Sequence, residues 1–593
     1  MSATASSEPV VRVDDLRVTF PTADGDVQAV KGLSFEVPAG GALGIVGESG
    51  SGKSVTSLAL MGLHRGSRAR ITGLVEVAGT DIRHASGKEL RRMRGNDIAM
   101  VFQDPMQSLH PQYTIGNQLV EALRVHRPGT SRSEARRRAV GALDRVGIPQ
   151  PEKRVNSYPH EFSGGMRQRV VIAMGLMCDP KVLLADEPTT ALDVTVQAQV
   201  LDLLDELRRD LGMALILVSH DLAVVAGSVD EVVVMRHGEA VERGDVRTVL
   251  SAPEHPYTQA LLAAVPRVEV SRAQRRAQDR ADRVAKAGST GSRTEGRASD
   301  VAASAVGSRG EEQGEPLLSV RDVAQRFKVR GGTWGRSTDF WAVKGVSFDL
   351  YRGETLGVVG ESGSGKSTLS RTVMRLLEPT RGRVVFDGRD ITHMKERELR
   401  PLRRDVQMVF QSPYSSLNPR LTVGDAIGTA LRVQGEKDTR KIRVRVQELL
   451  ERVGLEPGHY NRFPHAFSGG QRQRIAIARA LILKPKLIIC DEPVSALDVS
   501  TQDQVLRLLS ELQDDFGLTY IFVAHDLAVV RQVSDRVLVM RKGEVVESGD
   551  SDSVYENPQS EYTRQLLAAA PVLDPDRARE HRAERLRMRA GSA

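Results

Sequence analysis

Cysteine is almost absent from this chain of 593 residues: Cys178 and Cys490 are far apart and each lies inside an apolar stretch. Two such thiols cannot furnish a four-cysteine iron–sulfur cluster or a zinc site between them, and they read as small core residues. Long apolar runs are missing as well. No segment approaches the run of about 18 apolar residues that a membrane-spanning helix needs, so the chain is not expected to cross a bilayer by itself. The start, MSATASSEPVVRVDD, has no basic segment leading into an apolar one, so no secretion signal is read and a cytoplasmic location is the default expectation. Charge of one sign is not dominant either. With 83 Lys and Arg against 76 Asp and Glu, the net +7 is too mild for this length to imply nucleic acid.

What the chain has in place of these is a repeat. GIVGESGSGKS, VFQDP, PHEFSGGMRQR, LLADEP, ALD and SHDLAVV recur in the same order as GVVGESGSGKS, VFQSP, PHAFSGGQRQR, IICDEP, ALD and AHDLAVV. The offset is 313 at the lysines (366 minus 53) and 305 at Ser163/Ser468, Asp186/Asp491 and His220/His525, so small insertions and deletions fall early. Residues 10–266 and 316–571 are therefore expected to be two copies of one domain. Residues 1–9 read as a disordered start. The segment 267–315 is rich in Arg, Ala, Ser, Gly and Gln and reads as a flexible basic linker with a short charged helix near Ser271 to Lys286; 572–593 reads as a basic tail of similar kind. Both basic runs are taken as solvated chain.

Within each copy the expected class is α/β. VVRVDDLRVTF and VQAVKGLSFEV alternate like antiparallel strands, whereas GALGIVG, KVLLAD and MALILVSH are short apolar runs suited to a parallel sheet buried on both faces. The stretch from Pro105 to Asp179 has the composition of an inserted helical subdomain, and EVVVMRHGEAVERG reads as a hairpin turning at His237-Gly238.

Gly47 to Ser54 and Gly360 to Ser367 both fit G-x-x-x-x-G-K-[ST], each following an expected strand and opening an expected helix. In such a loop Gly47, Ser49, Gly50 and Gly52, and likewise Gly360, Ser362, Gly363 and Gly365, let backbone N–H groups converge on phosphate oxygens. Lys53 and Lys366 reach the terminal phosphates, and Ser54 and Ser367 meet Mg²⁺. Asp186-Glu187 and Asp491-Glu492 end apolar strands, which suits the aspartate to Mg²⁺ and the glutamate to an attacking water. His220 and His525 also follow apolar strands, where an imidazole can orient that water.

At Ser163-Gly164-Gly165 and Ser468-Gly469-Gly470 the chain resembles the signature motif of ABC ATPases, a likeness that extends over nearly all of 10–266 and 316–571. It implies two tandem ABC-type P-loop NTPase domains, each with a mainly parallel core sheet, an antiparallel β subdomain and an inserted helical subdomain. It further implies Q-loops at Gln103 and Gln411 that also touch Mg²⁺, D-loops at Asp193 and Asp498, and head-to-tail pairing of the halves. ATP on Lys53 would then be completed by Ser468, Gly469 and Gly470, and ATP on Lys366 by Ser163, Gly164 and Gly165. Both sites keep glutamate and histidine, so both are expected to hydrolyse ATP. Phe162 and Phe467 replace the usual leucine, and Met166 replaces glutamine in the first signature. Phe20 is the expected adenine-stacking residue of the first half; Phe327, Phe340 and Trp341 all stay open in the second.

APEHPYTQALLAAVP and NPQSEYTRQLLAAAP, after each copy, resemble the dipeptide, oligopeptide and nickel importer ATPases. Membrane permeases, two in number, and indirectly an extracytoplasmic binding protein are the partners this implies, with the chain at the cytoplasmic face. Peptides are the expected cargo, with nickel, glutathione or sugars as alternatives. A cysteine-rich motif common in these relatives is missing, because no cysteine falls between 178 and 490. The rival readings are a soluble ABC protein acting on ribosomes or nucleic acid, and a scaffold that does not hydrolyse ATP.

Overall fold

The computed structural model describes residues 8–23, 25–190, 192–289, 314–330, 337–412 and 416–591. Residues 1–7 of the expected disordered start, residues 290–313 of the expected linker, part of the RGGTWGRSTDFW insertion and Tyr414-Ser415 lie outside them, whereas Pro9 of that expected start already belongs to a strand. Among the described residues, those of Met1–Val265, Asp498–Ser500 and Ala568–Ala593 form one unit, and those of Pro266–Leu497 and Thr501–Leu567 form another.

In the first unit, β1 (Pro9–Thr22), β2 (Gly25–Pro38), β4 (Arg70–Val77) and β5 (Thr80–Asp81) make an antiparallel sheet in the order β2-β1-β4-β5. The core sheet runs β10-β9-β3-β8-β7-β6, from β3 (Ala42–Val46), β6 (Ile98–Val101), β7 (Val182–Asp186), β8 (Ala214–Ser219), β9 (Glu231–Arg236) and β10 (Glu239–Asp245). All of its neighbours pair in parallel except β9 and β10. That hairpin turns at His237 (φ 50°) and Gly238 (φ 87°), the left-handed pair that fits the twist of a two-residue turn.

The unbroken apolar runs have a simple cause, since each central strand buries both faces. Leu43, Ile45, Val182, Leu184, Ile216 and Val218 pack with Val11, Leu33 and Phe35 between the two sheets. The alternate residues Ala42, Val46, Leu183, Ala185, Leu215 and Leu217 face a second core built with the helical segment. Burying such a side chain contributes roughly 1.5–3 kcal/mol, so polar substitution on either face is costly. The helical segment carries Ile115–His126, Arg132–Arg145 and Gly164–Gly175, with Leu119, Leu123, Ala135, Ala139 and Leu143 buried at helical spacing.

The second unit repeats the plan. Its sheets run β12-β11-β14-β15 and β16-β17-β18-β13-β19-β20, where β11 is Leu318–Arg330, β12 Ser337–Leu350, β13 Thr355–Val359, β14 Arg381–Phe386 and β15 Arg389–Asp390. The rest are β16 Val406–Val409, β17 Leu487–Asp491, β18 Thr519–Val523, β19 Arg536–Arg541 and β20 Glu544–Asp550. Both cysteines are free and buried, as their apolar surroundings imply.

The basic runs depart from expectation. A helix does form over Arg272–Ser289, but its first turns are not solvated chain. Arg272 pairs with Asp535 and donates to Gln513 (2.6 Å), Arg275 pairs with Asp503, and Asp279 forms an ion pair with Arg507 (3.1 Å), all in the second unit. The tail is likewise a helix, Pro575–Gly591, and belongs to the first unit. There Arg585 meets Asp202 (2.8 Å) and Arg582 pairs with Asp205, carboxylates only 3% and 4% exposed. These helices dock through arginine–aspartate pairs, and Arg forks match carboxylates well enough to be held in partly buried sites.

Candidate functional site

In the first unit, the phosphate-type loop joins β3 to the helix Lys53–Leu60. Gly47 (φ 155°) and Gly52 (φ 102°) have no alternative: a Cβ would collide with the Met235 carbonyl at one and the Ala29 carbonyl at the other. Gly50 (φ 79°) is the opposite case, with nothing within 4 Å of an added Cβ, so the inner side of the loop is open. Lys53 is buried and its ammonium donates to the carbonyls of Gly47 (2.7 Å) and Glu48 (2.9 Å). Burial holds its pKa below the usual lysine value, against the pull of Glu187, Asp186 and Asp498.

The end of β7 brings the acidic pair to the loop. Ser54 Oγ lies 3.4 Å from Asp186, whose carboxyl burial pushes up to about 6. Glu187 sits in the left-handed region (φ 47°), its N–H tied to the Val218 carbonyl (2.9 Å), and this turn aims the carboxylate away from the strand. That carboxylate accepts from Gln103 (2.8 Å) and Thr190 (2.9 Å) and lies 3.2 Å from His220 Nδ1. For His220, burial alone would lower the pKa, but the Glu187 carboxylate outweighs it and the imidazole is raised; Glu187 is held low in return, against its own burial.

The second unit assembles the same set. Lys366 donates to Gly360 (2.6 Å) and Glu361 (2.8 Å), Ser367 to Asp491 (2.8 Å) and Gln411 to Glu492 (2.7 Å), while His525 Nδ1 lies 3.5 Å from Glu492. Gly363 repeats the open position and Gly365 the closed one. Ser49 and Ser362 lie in these loops.

Each signature serine caps a helix. Ser163 accepts from the Met166 N–H (3.3 Å) at the start of Gly164–Gly175, and Ser468 from the Gln471 N–H (3.3 Å) at the start of Gly469–Leu481. Only the second completes a capping box, Gln471 Oε1 accepting from the Ser468 N–H at 3.1 Å. Gly165 and Gly470 leave no room for a Cβ, which would collide with Val196 and Thr501.

Phe20 is part-buried with its ring edge-on to His64 (5.3 Å). Phe327, paired with Phe340 across the β11–β12 hairpin, occupies in β11 the place of Phe20 in β1; the Arg326 guanidinium covers Trp341 at 5.7 Å. Within the two segments that carry the importer resemblance lie residues that sequence reasoning passes over, Tyr257 and Tyr562, whose hydroxyls accept from the loop N–H groups of Glu48 (3.3 Å) and Glu361 (3.2 Å). The signal that could have found them is their matched place in the repeat.

Two phosphate-type loops, each with its carboxylate pair, glutamine and histidine, are accompanied by matches of residues 30–190 and 343–495 to the ABC transporter family. The chain belongs to that family. It is an ABC ATP-binding cassette ATPase with two cassettes. Residues 241–292 and 546–591 further match the oligopeptide/dipeptide transporter C-terminal region, so both arginine-bearing helices fall in this second match. The chain is similar to the glutathione import ATP-binding protein GsiA of Salmonella typhimurium, 48% identical over 592 residues, covering 97% of this chain and 92% of the relative. GsiA of Escherichia coli K12 is 47% identical over 588 residues, covering 97% and 91%. Among solved structures, cbiO1 of Clostridium perfringens, part of the ABC transporter complex cbiONQ, is 31% identical over 41% of this chain and 92% of its own, with a TM-score of 0.36. Among the described residues no helix is long and apolar enough to cross a membrane.

Proposed function

We propose that this ABC ATPase energises import of glutathione or of short peptides of similar size, working at the cytoplasmic face of a membrane with two permease subunits and, through them, an extracytoplasmic binding protein. The full-length likeness to glutathione import ATPases supports the cargo class and weighs against the ribosome or nucleic-acid reading. A tripeptide and a dipeptide share a free carboxylate, an amine and amide bonds, so one importer type can carry either.

The observation that carries the hydrolytic reading is the grip on Glu187 and Glu492, each held by a glutamine amide and a histidine beside a lysine-bearing loop. Lys53 and Lys366 bind the terminal phosphates, the loop N–H groups surround them, and Glu187 and Glu492 accept the proton of the attacking water while His220 and His525 keep that carboxylate oriented. Phe20 and Phe327 stack on adenine. Ser163, Gly164 and Gly165 complete the nucleotide on the second loop, and Ser468, Gly469 and Gly470 the nucleotide on the first.

The residues fit Mg²⁺ as part of a nucleotide complex. Ser54 and Ser367 point hydroxyls at buried Asp186 and Asp491, while the carbonyl oxygens of Gln103 and Gln411 are not engaged by Glu187 or Glu492. Among the described residues there is no cluster of three or more His, Cys, Asp and Glu that could hold a metal, and water and the phosphate oxygens of a nucleotide would supply the remaining ligands. Held there with a nucleotide, Mg²⁺ would neutralise charge on the transferring phosphoryl group.

Glu187→Gln with Glu492→Gln retains ATP binding and abolishes turnover; a double variant hydrolysing at the wild-type rate refutes the assigned base. Uptake of labelled glutathione, dipeptide and nickel by membranes carrying the co-purified permeases decides the cargo, and uptake of nickel alone overturns the peptide-class reading.

A further inference from the structure

The C-terminal region following each cassette touches its phosphate loop through one side chain, and it does so twice. In the first unit the helix Pro256–Ala264 places Tyr257 against Glu48, the residue after Gly47; the hydroxyl accepts the Glu48 N–H at 3.3 Å. In the second, Tyr562 of the helix Glu561–Ala569 accepts the Glu361 N–H at 3.2 Å. The same residues present their carbonyls to Lys53 (2.9 Å) and Lys366 (2.8 Å). One loop residue is thus gripped on both sides, by tyrosine at its N–H and by the phosphate-binding lysine at its carbonyl.

The tyrosines are themselves fixed. Tyr257 and Tyr562 are 7% and 4% exposed, with the guanidinium groups of Arg236 and Arg541 over their rings at 4.8 and 4.7 Å. Those arginines end β9 and β19, which pair with the strands leading into the loops. The approach to each helix is clamped by a carboxylate on the hairpin: Glu242 accepts the N–H groups of Glu254 (2.8 Å) and His255 (3.2 Å), and Glu547 those of Gln559 (2.7 Å) and Ser560 (3.0 Å). Burial pushes the Tyr257 phenol up to about 12, so it stays a neutral hydroxyl at working pH. The same hairpin carboxylate, helix, tyrosine and loop N–H stand in both copies of the repeat.

We propose that Tyr257 and Tyr562 are positioning residues for ATP binding, holding the first turn of each phosphate loop in its nucleotide-ready form. A preformed loop loses less freedom when ATP arrives, so the hydroxyl contributes to affinity without touching nucleotide. The inference rests on Lys53 and Lys366 marking the ATP seats, and Lys53→Ala with Lys366→Ala tests that separately: wild-type ATP binding by this pair sinks the seats themselves.

The test of the tyrosines uses the full chain. Tyr257→Phe with Tyr562→Phe keeps both rings and both arginine contacts and deletes only the hydroxyls. Losing one such hydrogen bond per loop raises the KM for ATP about three- to tenfold, with kcat within about twofold and Tm lowered by no more than about 4 °C. Glu242→Ala with Glu547→Ala, which frees the approach to each helix, raises KM in the same direction. An unchanged KM in the phenylalanine pair overturns the proposal, as does a fall in kcat and Tm with KM unmoved.

Discussion

Compared site for site, the two cassettes differ where the shared motifs leave freedom. Thr190 gives Glu187 a hydroxyl partner at 2.9 Å, while its counterpart Ser495 turns its hydroxyl to the Glu492 backbone carbonyl at 3.2 Å. His220 lies at 3.2 Å from its glutamate and His525 at 3.5 Å. Met166 cannot complete the capping box that Gln471 completes. The functional residues are the same in both sites, and what differs is the spacing between them and the groups that support them. Drift is tolerated in the props, and the two sites are expected to share one chemistry at unequal rates.

The largest contrast to test lies outside the sites, in the two arginine-bearing helices. Arg582→Ala with Arg585→Ala leaves buried Asp202 and Asp205 short of their partners from the tail, and stripping a buried ion pair of one member costs about 3–5 kcal/mol. Urea denaturation should show the first unit destabilised and the second unmoved, with Arg272→Ala and Arg275→Ala giving the reverse. Equal effects of both pairs on both units would break the comparison.

Next comes His220→Ala set against His525→Ala. Each should slow turnover on the order of a hundredfold at its own site. Each also removes the partner that holds its glutamate low, leaving burial to raise that carboxyl, so the acid limb of the ATPase pH profile moves to higher pH. The sign for stability follows from the same pair. Glu187 is depressed below 4.5, so its contribution is present above that pH and fades as pH falls through the lowered value; His220 is raised above 6.5, so its contribution is present below 6.5 and fades as pH rises through the raised value. The Glu187–His220 pair therefore stabilises the first site most between those limits, and an acid limb that stays put in His220→Ala contradicts the pairing.

The smallest effect is Met166→Gln, which restores a capping box to the first signature. It should stabilise that helix by roughly 0.5 kcal/mol and narrow the kinetic gap between the sites. Single-turnover ATPase assays of the two sites, each measured with the other disabled by its glutamate substitution, provide the check.

Most of the site was legible because its chemistry is local. Glycines at fixed spacing, a lysine and a DE pair at a strand end each do their work within a few residues of backbone, and the buried strands announce themselves as unbroken apolar runs. The docking of the basic helices was not legible. Arg272, Arg275, Arg582 and Arg585 find their partners at Asp535, Asp503, Asp205 and Asp202, hundreds of residues away and scattered on other elements, and composition alone cannot tell a paired arginine from a solvated one. Tyr257 and Tyr562 stayed hidden for a related reason. A tyrosine hydroxyl beside a backbone N–H has no motif of its own, and only the matched place of the two tyrosines in the repeat marks them.

The tail helix carries a consequence for how the molecule is made. Asp202 and Asp205 leave the ribosomal exit tunnel nearly four hundred residues before the arginines that neutralise them (582 minus 205 is 377). Until they arrive Asp205 has Arg208 and Arg209 of its own helix, while Asp202 is without its arginine partners. Closure over Asp202 waits for the helix Pro575–Gly591, so a product stopped short of that helix would leave uncovered a carboxylate that Arg582 and Arg585 otherwise conceal.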